Sequence, residues 1–172
     1  MSLGILLLRV VVGLTFAAHG AQKMFGWFGG AGQPGTTVFF QKLGFRAPGL
    51  MAFTAALAEL AGILFALGLL TPLAALAIAV VMLNAIGTVH WRKGFFVTEG
   101  GYEFNIVLLT VGIAVVATGP GRWSLDHAIG WDGDITGAWW AAGVLLAALA
   151  VSTATLRLFH AKDAGGPQEA PA

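Results

Sequence analysis

The stretch from Leu50 to His90 reads LMAFTAALAELAGILFALGLLTPLAALAIAVVMLNAIGTVH, and Glu59 is the single charged side chain before its closing histidine. An α-helix rises 1.5 Å per residue, so about 20 apolar residues cross a hydrocarbon layer about 30 Å thick. The run is twice that length. Thr71-Pro72 divides it, because Thr suits an N-cap and Pro suits the first position of a helix. The stretch therefore predicts two membrane spans joined as a tight helical hairpin, about 50–70 and 72–90.

Outward from the hairpin, three more runs are long enough to span: about 3–28, about 102–118, which is barely so, and about 138–159. Composition agrees. The chain is 58% hydrophobic and 10% charged with a mean hydropathy of +0.84, against about 25% charged residues in an ordinary soluble domain. The expected fold is all-α, an integral membrane helical bundle of four core helices plus a fifth, filling residues 1–160. Gly29 to Gly35 reads as a flexible turn, Thr37 to Leu43 as a short interfacial helix, and 161–172 as a disordered tail.

Net charge is +1, and the nine Lys and Arg are spread through loops and tail, with no stripe suited to nucleic acid. The chain has no Cys, which removes disulfides, thiolate-bound metals and iron–sulfur clusters; no metal site is expected. Met1 to Gly4 carry no basic side chain and the apolar stretch continues past Phe16, so the first segment reads as a retained helix rather than a signal peptide. With five spans, Lys23, Lys42, Arg46, Arg92, Lys93, Arg157 and Lys162 fall on one side and Arg122 on the other. The positive-inside rule then places the N-terminus outside and the C-terminus in the cytoplasm of a bacterial inner membrane.

Ionisable groups inside a span cost at least about 2.5–3.5 kcal/mol each at the bilayer centre and so mark candidate sites. Glu59 is the clearest. It shares a face with Ala52, Ala55, Ala56, Gly62 and Ala66, matched on the first helix by Gly13, Ala17 and Ala21, and such small-residue rows are where helices meet in lipid. A carboxyl there is held neutral unless a cation is near. Two readings stand for it: a neutral acid bonding a neighbouring helix, or a ligand or proton site. His19, Gln22 and Lys23, spaced i, i+3, i+4, lie at the end of the first span, while His90 closes the third and Glu103 and Asn105 open the fourth, all on the same membrane side. Against a joint site, Lys23 could snorkel to headgroups, His19 could bond a carbonyl, and Glu103 could favour its helix N-terminus. Trp91, Arg92 and Lys93 read as interface anchors. On the opposite side Arg9 either snorkels or forms a structural pair with Asp126, and Gly119-Pro120-Gly121-Arg122-Trp123-Ser124-Leu125-Asp126 reads as a structural turn in which Trp123 sits at the interface.

The pattern resembles the DoxX family of small bacterial membrane proteins, which includes the small subunit of thiosulfate:quinone oxidoreductase. The likeness is carried by His19-Gly20-Ala21-Gln22-Lys23-Met24-Phe25-Gly26, by Glu59 through Gly62 to Gly68-Leu69-Leu70-Thr71-Pro72, by Glu103 with Asn105, and by Gly119 to Asp126, across residues 3 to about 130. It implies a four-helix core and, for some members, a link to quinone-dependent oxidation or to oxidative-stress complexes. The fifth segment from Ala138 departs from the usual four.

Three functions compete. In the first, the chain is a quinone-linked redox accessory subunit in which His19, Gln22, Lys23, Glu59, His90, Glu103 and Asn105 receive a quinone head from the lipid. Carbonyls need donors and reduction needs protons, which His, Lys and Glu supply. Electrons would come from a soluble redox partner, since the chain carries no motif for a donor. In the second it is a scaffold recruiting soluble redox or detoxification enzymes, and in the third a small proton-coupled transporter component, which five helices could form only as a homo-oligomer. His19 and His90 could ligate a haem, but chance placement near the interface is the better account, so haem is disfavoured.

Overall fold

The computed structural model describes residues 2–160; the expected tail at 161–172 lies outside them. Its elements are α1 (Ser2–Phe25), α2 (Gly32–Lys42), α3 (Pro48–Leu60), α4 (Gly62–Leu67), α5 (Thr71–Ala85), α6 (Glu103–Thr118), α7 (Leu125–Ala128) and α8 (Ala138–Phe159). α3 and α4 run on as one rod, Pro48–Leu67, and α5 continues to Lys93 through a π turn at Ile86–His90 and a 3-10 turn at Trp91–Lys93. Four rods are thus long and apolar enough to cross a membrane: α1, α3 with α4, α5 with its extension, and α8. α6 is shorter, 16 residues, or about 24 Å. Among the described residues no strand forms beyond one bridge, Phe45 to His160.

Large apolar side chains are exposed along the rods, among them Leu7, Val11, Leu57, Leu73, Val107 and Leu146. A bundle greasy outside as well as inside is one solvated by lipid. The inner packing is built from Phe16, Phe65, Ala74, Ala75, Ile78, Leu108, Val115 and Val116. α1 lies along α3 and α4, while α5 is flanked by α6 and α8. The first of these contacts is backbone on backbone: a Cβ placed on Gly13 would stand 2.4 Å from the Gly62 carbonyl oxygen, and one on Gly62 equally close to that of Gly13. The small-residue rows therefore do mark the helix contact.

Three boundaries differ from expectation. α1 stops at Phe25 rather than about 28, because Gly26 turns left-handed (φ 74°) and Trp27–Gly29 winds as a separate 3-10 turn. α2 starts at Gly32, inside the stretch read as a flexible turn. Pro34 is tolerated there because a first-turn residue has no helical partner for its N–H. At the hairpin Thr71 is the first helical residue rather than the cap. Leu70 precedes it in a left-handed conformation (φ 50°), and the capping acceptor comes from far along the chain, as described below.

Candidate functional site

On the side away from the N-terminus, where α1, α3, α5 and α6 converge under α2, lies a cavity of about 600 Å³. Its polar wall brings together His19 and Lys23 of α1, Glu59 of α3, His90 at the end of the π turn and Asn105 of α6; Phe39, Phe40, Phe45, Met51 and Leu108 supply apolar surface. Five of the seven expected site residues thus share one space. The other two do not line it. Gln22 donates its amide N–H to the Phe28 carbonyl (3.3 Å) and steadies the 3-10 turn; Glu103 accepts from the Val97 N–H (3.0 Å) and ties down the loop before α6. Nearby backbone groups took up the polar ends of both.

The centre of the site is an ion pair. Lys23 does not reach out to headgroups: its Nζ donates to Glu59 Oε1, with the Glu59 side chain 5% exposed and that of Lys23 30%. Oε2 of Glu59 is buried and has no hydrogen-bond partner among the described residues. The lysine is positioned from α2. Gln33 donates to the Lys23 carbonyl at 3.3 Å, and the Thr36 hydroxyl, which donates to the Gly32 carbonyl of its own helix at 2.7 Å, stands 3.4 Å from that of Lys23, so α2 fastens the last turn of α1 over α3. A Lys–Glu pair screened from water is held as charges only with such geometry around it, and one partner without the other would be costly.

His90 Nδ1 lies 2.6 Å from the Gly100 carbonyl. A carbonyl only accepts, so that nitrogen carries the proton, and in the neutral ring Nε2 is left as the acceptor. The π turn adds one residue to the helical round just where His90 meets the cavity, an insertion found often at functional positions. Asn105, buried, donates to the Met82 sulfur at 3.4 Å.

Sequence reasoning missed Asn84, Thr88, Ser152 and Thr155. Asn84 and Thr88 lie four apart on α5 and its extension, Ser152 and Thr155 three apart on α8, and all but Ser152 line the cavity. Ser152 Oγ donates to Asn84 Oδ1 at 2.7 Å. The signal was present, since an amide four residues from a hydroxyl inside an apolar run makes a polar helix face, but attention to ionisable groups passed over it.

The opposite membrane half carries a second polar cluster. Arg9, 1% exposed, neither snorkels nor pairs directly with Asp126: it donates to the carbonyls of Pro120, Trp123 (2.7 Å) and Ala66 (3.3 Å). Asp126, fully buried, instead accepts from the Leu70 N–H (2.8 Å), the Thr71 N–H (2.9 Å) and the Thr71 hydroxyl (2.6 Å). It is the missing cap of α5, a carboxylate at the positive end of a helix. Ser124 accepts from the His127 N–H (3.2 Å) and starts α7, and the Trp123 side chain is exposed. The cluster welds the 119–126 turn onto α1, α4 and α5.

An all-helical, multi-pass membrane protein with a charged pair walling an internal cavity is the class this geometry defines. The DoxX family model matches residues 4–91, half of the chain, which contains Lys23, Glu59 and His90. The chain belongs to the DoxX family. It is 35% identical over 125 residues to "Putative oxidoreductase CatD" of Bacillus subtilis, covering 72% of this chain and 85% of that one. It is 31% identical over 136 residues to "Uncharacterized membrane protein Rv3486" of Mycobacterium tuberculosis, covering 73% and 80% respectively. No solved structure matches it.

Proposed function

We propose that the chain is a quinone-linked redox accessory subunit of a bacterial inner membrane, holding a quinone-type head group in the cavity beside Lys23 and Glu59. The observation that carries this is the Lys23–Glu59 pair itself, a cation and a carboxylate side by side in the wall of a head-group-sized cavity within an apolar bundle. A bound quinone supplies two-electron, two-proton carrier chemistry. The protein's part is to bind, orient and exchange protons. Lys23 has hydrogens left after its bond to Glu59 and can donate to a ring carbonyl, the orphaned Glu59 Oε2 can take or hold a proton, and the His90 ring, with Nδ1 engaged by the Gly100 carbonyl, presents Nε2 to the cavity side as a further polar contact. The residues therefore fit such a group at both its oxidised and reduced oxygens.

Lys23, Lys42, Arg46, Arg92, Lys93 and Arg157 all lie on the cavity side, so the positive-inside rule turns the cavity to the cytoplasm and the N-terminus outward. Electrons come from a soluble partner on that side. A relative whose name contains "oxidoreductase" supports the redox direction.

The recruiting scaffold is favoured by a different observation. Between α5 and α6 the chain folds into a firm exposed knob: Trp91 stacks on Tyr102 (5.5 Å), Phe95 meets Tyr102 edge to face (5.6 Å), and the Tyr102 and Glu103 N–H groups donate back to Gly94 and Phe95. Phe96 and Val97 stand out from it beside Arg92 and Lys93. Glu99 and Glu103 balance the two cations, so what the knob offers a partner is a preorganised, exposed aromatic surface of mixed charge. The two readings are compatible, and the test of the first is direct. Quinone extracted from the purified wild-type chain should be abundant and largely lost from Glu59→Gln. Equal amounts in both, or none in the wild type, would contradict the assignment.

A further inference from the structure

α3 and α8 both lie against α5 with at most slight contact between them, whereas α1 closes on α3 and α4, and α6 on α8. Between them runs a slot. Thr54 and Ala58 form one rim, Val151 and Thr155 the other, and Val81 and Asn84 of α5 the back, and all six belong to the cavity wall. The outer rim faces away from the protein, with Val151 45% exposed. Thr54 is six residues beyond Pro48 and Val151 eight before Phe159, which sets the mouth about 9–12 Å along the helices from the cavity-side face. That depth is hydrocarbon.

At its water-facing end the slot between α3 and α8 is stopped. The Arg46 N–H donates to the Phe159 carbonyl at 2.8 Å, the buried Phe45 ring meets His160 at 5.2 Å, and Phe40 packs on Phe45 at 5.2 Å. Together they tie the start of α3 to the end of α8 across the slot. Deeper in, the Ser152–Asn84 bond holds α8 to α5 and fixes the back of the opening.

We propose that the α3/α8 slot is a side entrance from the bilayer, and that the cavity's ligand is an amphipath whose apolar tail stays between Thr54 and Val151 while its flat polar head reaches Lys23 and Glu59. The identity of the head rests on the quinone reading; the route does not. A lipid-dissolved molecule meets an apolar rim first and polar groups only inside, an order that spares the head any passage through the aromatic stopper. It also gives α8 a use, since without that helix the slot would have only one wall.

The test uses the full chain in lipid vesicles with a small, uncharged, lipid-soluble carbene precursor, its adducts located by mass spectrometry. In the wild type, adducts should form on Val81, Asn84 and Ala85 at the back of the slot as well as on the lipid-facing Leu146. Val151→Trp, or Ala58→Leu from the other rim, should cut the slot adducts about tenfold and leave those on Leu146 unchanged, which also reports that the bundle is intact. Slot adducts absent from the wild type, or indifferent to both plugs, overturn the entrance. The same plugs should weaken a quinone with a long isoprenoid tail about tenfold and a tail-less quinone less than twofold. Plug-sensitive adducts in a chain that binds neither quinone would uphold the entrance and sink the quinone reading.

Discussion

At the scale of single residues, two charged side chains that look alike in the sequence turn out to do different things. Lys23 and Glu59 satisfy one another, so removing either alone strands its partner, and removing both does not. We expect Lys23→Met to cost about 2–4 kcal/mol of stability and the double change Lys23→Met, Glu59→Leu to recover most of it; denaturant unfolding in mixed micelles checks the cycle. Arg9 has no carboxylate in direct contact. Its removal leaves the Pro120, Trp123 and Ala66 carbonyls unserved, so Arg9→Met should cost about 3–5 kcal/mol, with no rescue from a second change at Asp126. On the surface, His127 Nδ1 lies 2.8 Å from Asp132 Oδ2, and that bond holds the Asp132 carboxyl below the usual range. A lowered carboxyl contributes stability above its unfolded value, about 3.9, and loses it as pH falls through the folded value. The small difference in melting temperature between wild type and His127→Ala should therefore be present at pH 5 and shrink toward pH 3.

At the scale of elements, the apolar runs and the Thr71-Pro72 break were legible because length and hydropathy alone decide a span. The helix faces were legible too. Gly13 and Gly62 could be placed at a contact because in lipid only small residues let backbones touch. Gly13→Ala should destabilise by about 1–3 kcal/mol, since its new methyl meets the Gly62 carbonyl. Gly143→Ala, with open space around it, should be neutral or stabilise by up to about 1 kcal/mol, as judged by the same unfolding assay. What could not be read was anything set by a partner distant in the chain. Leu70 takes a left-handed turn, and the cap of α5 is Asp126, 55 residues beyond Thr71. Gln22 and Glu103 show the converse. Gln22 shares a helical register with His19 and Lys23, and Glu103 opens its helix at the same end, yet the Phe28 carbonyl and the Val97 N–H were nearer than the cavity. The helical start of α2 was hidden behind its Gly and Pro, and with it the Gln33 amide that donates to the Lys23 carbonyl.

For the whole molecule, the bundle divides into two unlike halves. The half nearer the N-terminus is closed by Arg9, Asp126 and the 119–126 turn, whose hydrogen bonds link α1, α4 and α5, with Arg9 Nε left without a partner among the described residues. The other half holds a cavity of about 600 Å³ with a buried carboxylate oxygen, Glu59 Oε2, that has no partner among the described residues. A substitution in the closed half should therefore lower unfolding resistance without altering ligand affinity, whereas one at Lys23 or Glu59 should change both. The central claim, that Lys23 and Glu59 hold a quinone-type head, is tested most directly by titrating a long-tailed quinone into the purified chain in lipid nanodiscs and comparing wild type with Glu59→Gln and Lys23→Met. The account predicts saturable binding that weakens about tenfold or more in each variant; saturable binding of equal strength in all three would contradict it.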